Sequence, residues 1–203
     1  MFARFVAFVA ARAEGTEDDD IRRELLRGLK GRVVELGSGT GPNFRLYPDT
    51  VTELVGVEPE DNLRAKAEEE ATARGTVPVQ MIDALGDRLP FEDGAFDAAV
   101  VAQVLCSVPS QADVLADLRR VVRPDGELRF YEHVLARNPR LARFQRVAGL
   151  VTPHIFGGCR PDRDTGHAIE AAGFEIERCR RFTFHNSPLD VAATPRILGV
   201  ARR

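Results

Sequence analysis

The central part of the chain alternates between short apolar runs and longer amphipathic or turn-rich segments. The apolar runs are typical of buried strands, and they occupy residues 32–36, 52–58, 77–83, 96–102 and 127–133. The run at 96–102 is apolar at nearly every position, as in a strand that is buried on both faces. Strands that alternate with helices form parallel sheets with right-handed crossovers. The pattern therefore predicts an α/β domain.

The segments between these runs predict helices where apolar residues recur at helical spacing. Residues 61–74 and 112–122 fit this spacing, and a short helix is predicted at 43–47. Residues 88–94 and 123–126 are rich in glycine and proline and predict turns. Ahead of the first strand, Asp20 is a helix cap for an amphipathic helix at 21–29.

The regular alternation of strands and helices ends after residue 133. Amphipathic helices are predicted at 140–151 and 164–172, followed by strands at 174–184 and 197–203. Only a short segment with two prolines and no helical pattern joins the last two strands. Parallel strands need a longer crossover, so this pair is predicted to be antiparallel.

Residues 2–13 form an apolar segment that Arg4 and Arg12 interrupt. A membrane-spanning helix needs about 20 apolar residues, so this segment is too short to span a bilayer. We predict an amphipathic helix that covers one side of the domain and no stable membrane insertion. A membrane-surface or lid role is the alternative.

Three glycines follow the first strand at every second position, in the sequence R-V-V-E-L-G-S-G-T-G-P-N-F. Glycine permits a turn with positive φ and leaves room beside the backbone. We expect Gly37, Gly39 and Gly41 to present free N–H groups at the carboxyl edge of the sheet, where open α/β folds bind ligands. Glu35 adds a negative charge, which suits an ammonium group better than a phosphate.

Two further strands also end in an acid. Glu58 follows Gly37 by about 20 positions, the spacing at which a carboxylate reaches a ribose diol in nucleotide-binding units. Asp83 ends the third strand. The dinucleotide pattern G-x-G-x-x-G/A fails at Pro42, which argues against a nicotinamide-dependent oxidoreductase. The pattern E-x-G-x-G-x-G is complete, and it is the pattern of class I S-adenosyl-L-methionine-dependent methyltransferases.

The resemblance extends over nearly the whole chain from Arg32. The matching segments include V-L-C-S-V, R-F-Y-E-H-V, F-G-G-C and P-R-I-L-G-V-A, at residues 104–108, 129–134, 156–159 and 195–201. They resemble the methyltransferase-like 7 group of thiol S-methyltransferases and its bacterial relatives. Animal members carry a longer hydrophobic anchor than residues 2–13 provide, so membrane attachment is not implied here.

The resemblance implies a Rossmann-like, mostly parallel sheet of seven strands with an antiparallel last strand and helices on both faces. It implies one domain over 1–203, with N-terminal helices at 1–30, a cofactor-binding core at 32–133, a substrate-side cap at 134–163, and the last helix and strand pair at 164–203. The implied S-adenosyl-L-methionine site consists of Glu35, Gly37, Ser38, Gly39, Gly41, Asn43, Glu58, Pro59, Asp83, Ala84 and Gln103.

Each part of this site has an implied partner on the cofactor. Glu35 and the three glycines would hold the methionine moiety, and Glu58 the ribose. Asp83 with Ala84 would bind the adenine, and Gln103 would lie where cofactor and substrate meet.

Methyl transfer from a sulfonium is an in-line displacement in which the leaving group needs no proton. The enzyme therefore mainly positions the acceptor at about 3–3.5 Å from the methyl carbon. A nearby base or cation would favour the thiolate of a thiol acceptor. His133 and Glu132 are the candidate catalytic residues, and His154 and Cys159 are weaker ones. A structural role for His133 is the alternative. Apolar residues in the cap (Phe144, Ile155 and Phe156) suggest a small apolar acceptor.

The net charge and the cysteine and histidine content limit the classes of binding partner. The net charge of −3 argues against nucleic acid as the main partner. Cys106, Cys159 and Cys179 are widely spaced and the histidines are scattered, so we predict no metal site. Reduced thiols in a cytoplasmic protein are the simplest explanation. Cys106 and Cys159 are either substrate contacts or small buried apolar residues.

The predicted function is a small-molecule methyltransferase with a thiol acceptor. O- or C-methylation of a phenolic or quinone-like compound is the alternative, as is a protein that binds the cofactor without turnover.

Overall fold

The computed structural model describes residues 17–155, 158–184 and 194–203, without the side chains of residues 154 and 155. Seven strands lie in these ranges: β1 (Gly31–Leu36), β2 (Val51–Val57), β3 (Val79–Ile82), β4 (Phe96–Ala102), β5 (Val122–His133), β6 (Glu175–Thr183) and β7 (Pro195–Arg202). The described helices are α1 (Glu17–Leu26), α2 (Asp61–Arg74), α3 (Gln111–Val121), α4 (Pro139–Ala148), the single turn α5 (Thr152–Ile155) and α6 (Thr165–Ala171). A 3-10 turn covers Phe44–Leu46.

All of these strands form one sheet in the order β3-β2-β1-β4-β5-β7-β6. The pairs from β3 to β5 are parallel, and β7 is antiparallel to both β5 and β6. This confirms the predicted Rossmann-like sheet with an antiparallel last strand. The chain runs outward from β1 to β3 and resumes on the other side of β1 with β4. Open α/β sheets bind their ligands at such a reversal, beyond the carboxyl ends of the strands.

Strand side chains alternate between two hydrophobic cores, one on each face of the sheet. Val34 lies in one core with Leu115 of α3 and Ile169 of α6. Val33 lies in the other core with Leu26 of α1. Each large apolar side chain that is fully buried stabilises the fold by about 1.5–3 kcal/mol. Helices therefore cover both faces of the sheet, as predicted.

Helix α1 begins at Glu17 and ends at Leu26, whereas the sequence predicted residues 21–29. Asp18 and Asp19 lie in its first turn and are buried. Asp18 Oδ2 accepts from Arg22 Nε at 2.7 Å, and Asp19 Oδ1 accepts from Arg45 Nη2 at 2.6 Å. Acidic side chains are favourable at a helix N-terminus. The prediction for residues 2–13 lies outside the described residues.

Two of the connections between strands contain less helix than the alternating pattern of strands and helices predicted. Residues 43–47 contain only the 3-10 turn, and residues 83–95 join β3 to β4 without a helix. Strand β5 begins at Val122 and includes the predicted turn at 123–126. Asp125 has a φ of 65° there, and the pairing register of β4 with β5 shifts beside it, between Phe96 and Ala98.

Helix α4 exposes its apolar stripe and buries a polar residue. Phe144 is 51% exposed, and Val147, Leu150 and Val151 are exposed as well. The buried Gln145 receives the Ala136 N–H at 2.6 Å and donates to two backbone carbonyls. Phe144 is therefore half open to solvent, its predicted part in binding a small apolar acceptor stays a prediction, and the side chains of Ile155 and Phe156 lie outside the described residues. No helix in the described ranges combines the length and apolar character that crossing a bilayer requires.

Candidate active site

The glycine turn after β1 has the backbone conformation that its sequence predicts. Gly37, Gly39 and Gly41 have φ values of 64°, 59° and 76°. A Cβ on Gly37 would lie 2.5 Å from Val104 Cγ2, and one on Gly41 would lie 2.6 Å from the Phe44 ring. A Cβ on Gly39 would meet nothing within 4 Å. Gly37 and Gly41 therefore permit close packing, whereas Gly39 borders open space that a ligand can use.

The N–H groups of this turn are not free, so that prediction was wrong. Gly37 and Ser38 donate to the Val57 carbonyl at 2.8 and 3.2 Å, and Gly41 donates to the Ser38 carbonyl at 2.9 Å. Gly39 donates to Glu58 Oε2 at 3.0 Å. The physical reason is the parallel pairing of β1 with β2, which brings the end of β2 beside the turn. These bonds hold the turn in shape.

Glu35 is buried beneath the turn. Its Oε1 accepts from Asn43 Nδ2 at 3.1 Å, and its Oε2 accepts from the Tyr47 hydroxyl at 2.5 Å. Arg22 Nη1 donates to Asn43 Oδ1 at 2.9 Å and fixes the amide orientation. Burial raises the pKa of Glu35 to about 7, which the two hydrogen bonds only partly offset. Asn43 and Tyr47 thus orient the carboxylate, and the predicted contact of Glu35 with an ammonium group stays a prediction.

Glu58 and Asp83 differ sharply in their surroundings. Glu58 is buried, and Oε1 accepts the Glu60 N–H at 3.1 Å in addition to the bond from Gly39. Burial raises the pKa of Glu58. The Asp83 side chain is 67% exposed and lies 3.7 Å from Arg64 Nη1.

The outer border of this region is exposed. Pro59 is exposed, Ala84 is half-buried, and the adjoining Leu85 is an exposed apolar side chain that the sequence analysis missed. Together with the three glycines, Glu58 and Asp83, these residues form what we call the β1–β3 edge.

Gln103 follows β4 and adopts a φ of 62°, an uncommon conformation for a residue other than glycine. Its N–H donates to the Tyr131 carbonyl at 2.7 Å. Among the described residues, nothing pairs with its buried Nε2 atom. Strained backbone and an unpaired buried donor are both typical of ligand-binding positions.

Glu132 is fully buried on β5 and binds the backbone that follows Gln103. Its Oε1 accepts the N–H groups of Val104 and Leu105 at 2.8 and 3.0 Å, and Oε2 accepts that of Cys106 at 3.2 Å. Burial raises the pKa of Glu132. This enclosed carboxylate shapes the turn after β4, and its predicted catalytic role stays a prediction.

His133 lies between two cysteines from distant parts of the chain. Its Nδ1 is 3.6 Å from Cys106 Sγ and 3.7 Å from Cys159 Sγ. Cys106 is buried, and the other two residues are half-buried. These three residues are widely spaced along the chain, and the fold brings them together. We call Gln103, Cys106, His133 and Cys159 the β4–β5 edge.

The two thiols differ in their acidity. The hydrogen bond from Cys106 lowers the pKa of Cys159, and the same bond together with burial raises the pKa of Cys106. Cys106 follows β4 and His133 ends the neighbouring β5, so strand order alone was a signal that they meet. No sequence pattern places Cys159 beside them. The side chain of His154, the other weak candidate, lies outside the described residues.

Comparisons with known proteins agree with this geometry. A family model described as "Methyltransferase domain" matches residues 34–130. Thiol S-methyltransferase TMT1B of Mus musculus is 35% identical over 184 residues, which cover 85% of this chain and 75% of that protein. Ubiquinone/menaquinone biosynthesis C-methyltransferase UbiE of Ectopseudomonas mendocina is 28% identical over 187 residues, covering 81% of this chain and 71% of that protein.

Solved structures share the fold. A SAM-dependent methyltransferase from Thermotoga maritima superposes with a TM-score of 0.68 at 22% identity, over 99% of this chain and 97% of the other. The cofactor fits the residues present: Gly39 borders open space, and Gln103 has a buried donor to spare. On its sheet, its glycine turn and these relatives, the chain belongs to the class I S-adenosylmethionine-dependent methyltransferases, in the group of the thiol S-methyltransferases and their bacterial relatives.

Proposed function

We propose that this methyltransferase acts on the thiol of a small molecule. The observation that carries the proposal is the cluster of Cys106, His133 and Cys159 at the end of β4 and β5, beside the strained Gln103. Two thiols and an imidazole form a polar, polarizable surface that suits a sulfur atom. The similarity to mammalian thiol S-methyltransferases supports the same acceptor.

For the cofactor, we propose that the β1–β3 edge holds S-adenosylmethionine. Glu35 would attract the ammonium group, with Ser38 and Asn43 supporting the turn that surrounds it. Glu58 would accept hydrogen bonds from the ribose diol, because a carboxylate has acceptor sites left beyond the two N–H groups it already binds. Pro59, Asp83 and Ala84 would border the adenine, and the exposed Leu85 gives its ring an apolar surface.

When bound, the cofactor supplies a methyl group on a sulfonium that leaves as a neutral thioether. The protein's task is therefore to hold the acceptor in line with that methyl group and to remove the thiol proton. The β4–β5 edge has the groups for the second task, since His133 and Cys159 both lie on its half-buried side. Glu132 acts through the backbone by holding the turn that carries Cys106. The three free thiols support a reducing, cytoplasmic setting as part of the proposal.

C-methylation of a quinone-like compound is a second candidate. It is favoured by the similarity to UbiE over 81% of this chain. The exposed apolar stripe of α4, with Phe144 and Val147, also suits an acceptor of low water solubility.

Release of S-adenosylhomocysteine with matched acceptors tests the proposal. Thiophenol, phenol and a naphthoquinol are offered to the full chain under equal conditions. We expect turnover with thiophenol at least about 100-fold above phenol, the scale on which proton removal contributes to catalysis. Turnover with the quinol and none with thiophenol would exclude the thiol acceptor and favour C-methylation.

A pair of histidine variants links turnover to the β4–β5 edge. His133→Ala is expected to lower thiophenol turnover about 100-fold with little change in cofactor affinity. His167→Ala is the matched control, because His167 is exposed on α6. Equal turnover in the two variants would contradict a role for His133.

A further inference from the structure

The side chains of Cys106, His133 and Cys159 are placed more specifically than a surface that only contacts an acceptor sulfur would require. We infer that they form a binding site for a divalent zinc ion, with a fourth coordination position that an acceptor thiolate can occupy. The sulfur, nitrogen and sulfur ligand atoms all lie within 4.8 Å of one another. This inference rests on the proposed thiol acceptor for the fourth position only.

The distances within the cluster match a tetrahedral zinc site. With Zn–S bonds of about 2.3 Å and Zn–N bonds of about 2.0–2.1 Å, neighbouring nitrogen and sulfur ligands lie about 3.6 Å apart. His133 Nδ1 lies 3.6 Å from one sulfur and 3.7 Å from the other. The imidazole nitrogen therefore lies at the separation from both sulfur atoms that a shared tetrahedral ion requires, and the two sulfur atoms lie within 4.8 Å of each other.

The backbone around the cluster holds the ligands in place before any ion binds. The Arg160 N–H donates to the Cys106 carbonyl at 2.8 Å, which ties the segment of Cys159 to that of Cys106. Arg163 Nη1 donates to the Leu105 carbonyl at 2.7 Å. A Cβ on Gly158 would lie 2.7 Å from the Ser107 carbonyl oxygen, so the two segments touch. A preformed site avoids the entropic cost of gathering ligands from three segments.

Glu132 supports the site through the backbone that carries Cys106. It accepts the Cys106 N–H and two preceding N–H groups, and so fixes the backbone that presents the Cys106 sulfur. Carboxylates that orient ligands are a regular part of zinc sites. Two thiolates and a neutral imidazole neutralise a divalent ion, which suits a cluster with one buried and two half-buried members.

Three protein ligands with one open position are typical of catalytic zinc sites, whereas structural sites use four. The half-buried side of His133 and Cys159 leaves that position accessible. An acceptor R–SH that coordinates there loses its proton to water and binds as R–S⁻, so with the ion bound His133 and Cys159 assist proton removal as its ligands and not as free bases. Its sulfur then forms the new S–CH3 bond as the bond from the methyl carbon to the sulfonium breaks. The products are two neutral thioethers, and a thioether is a weaker zinc ligand than a thiolate.

Cobalt binding tests the site without reliance on activity. The purified full chain is reduced with a phosphine, stripped with a chelator and titrated with Co²⁺. We expect one Co²⁺ per chain, with the visible absorption bands of tetrahedral cobalt and a sulfur-to-cobalt charge-transfer band. Added Zn²⁺ should bleach these bands. A wild-type protein that gives only the weak spectrum of octahedral cobalt would overturn the site.

Cysteine variants assign the ligands. Cys106→Ser and Cys159→Ser are each expected to weaken Co²⁺ binding at least about 100-fold and to lose part of the charge-transfer band. Cys179→Ser is the matched control, because Cys179 is exposed on β6. The melting temperature and the cofactor affinity show whether each variant is folded. Because Cys159 is half-buried and Cys106 is buried, Cys159→Ser is the substitution that disturbs folding less. Equal cobalt spectra in Cys159→Ser and Cys179→Ser would overturn the assignment.

A final pair of measurements separates this inference from the proposed function. Thiophenol added to the cobalt-loaded protein should shift the visible bands, whereas phenol should not. An unshifted spectrum would overturn the open fourth position. The assignment of the three protein ligands would be unaffected, because it depends on the cysteine variants. Thiol methylation by a fully stripped protein at the wild-type rate would overturn the catalytic use of the ion and leave the thiol acceptor intact.

Discussion

The β1–β3 edge and the β4–β5 edge are each organised by one buried glutamate, and the two carboxylates are bound in different ways. Glu35 is held by side chains that follow it closely in the chain, Asn43 and Tyr47. Glu132 is held by three backbone N–H groups from a turn that precedes it by 26 to 28 residues. The surroundings of Glu35 in the first edge are therefore built mainly from nearby residues, whereas the second edge is assembled by the sheet.

This difference has a consequence for function. A site made from neighbouring residues depends on one short stretch of the chain. A site assembled from the ends of β4 and β5 and the cap can change with any of those segments. We expect cofactor identity to depend on the β1–β3 edge and acceptor identity on the β4–β5 edge.

The largest expected effect is on stability at Glu132. Glu132→Ala leaves three buried or part-buried N–H groups without an acceptor, and at about 1–3 kcal/mol for each lost partner the free energy of unfolding should fall by about 3–9 kcal/mol. Glu35→Ala should cost less, about 1–3 kcal/mol, because side-chain donors can turn toward other acceptors. Urea denaturation compares them, and equal losses would contradict the difference between the edges.

The second effect is a pH dependence that belongs to Glu35. Because burial raises its pKa from 4.5 to about 7, the folded protein keeps a proton that the unfolded chain releases between these pH values. The contribution of Glu35 to stability is complete below about pH 4.5 and is lost as the pH rises through 7, a fall of about 3 kcal/mol.

Urea denaturation from pH 5 to pH 8 measures this contribution as the difference between wild type and Glu35→Gln. The exposed Glu69→Gln is the matched control for loss of a charge. The same two proteins test the proposed ammonium contact. If Glu35 binds the cofactor as a carboxylate, wild-type affinity rises with pH through 7 and the Glu35→Gln affinity lacks that rise. The same pH dependence of cofactor affinity in wild type and Glu35→Gln would exclude the contact.

The third effect compares two acids of the β1–β3 edge. Glu58→Ala removes the proposed ribose acceptor and two hydrogen bonds, one from Gly39 in the glycine turn and one from Glu60. We expect the cofactor Kd to rise about 10- to 100-fold, or about 1.4–3 kcal/mol. Asp83→Ala should raise it less than about 5-fold, because exposed charges contribute little. Calorimetric titration decides the order, and a larger effect at Asp83 would reverse these assignments.

The smallest effect separates two glycines with the same conformation. Gly37→Ala and Gly39→Ala both place a side chain at positive φ, which costs about 1–2 kcal/mol. Gly37→Ala also presses on Val104, so it should lower stability by about 1 kcal/mol more. Gly39→Ala should instead weaken cofactor binding more, because its Cβ enters open space. The reverse order in either measurement would contradict the roles given to the two glycines.

Sequence reasoning succeeded where a function depends on residues close along the chain. Glycines at alternate positions, Glu35 and the spacing to Glu58 identified the turn and its cofactor class before any coordinates. It failed where distant segments compete for the same groups. The N–H groups of Gly37 and Ser38 are taken by the Val57 carbonyl, which arrives only through strand pairing. The apolar stripe of α4 faces outward because Gln145 satisfies buried carbonyls on the inner side.

By itself, the sequence determined the fold class, the glycine turn and the methyltransferase family, because apolar periodicity and backbone conformation are local properties. Only the tertiary structure decided the composition of the β4–β5 edge. Cys106, His133 and Cys159 share no spacing that a pattern can detect, yet parallel pairing of β4 with β5 and the bond between Arg160 and Cys106 bring them together. Contacts between distant segments depend on how the whole sheet packs, and no short stretch of sequence encodes that packing alone.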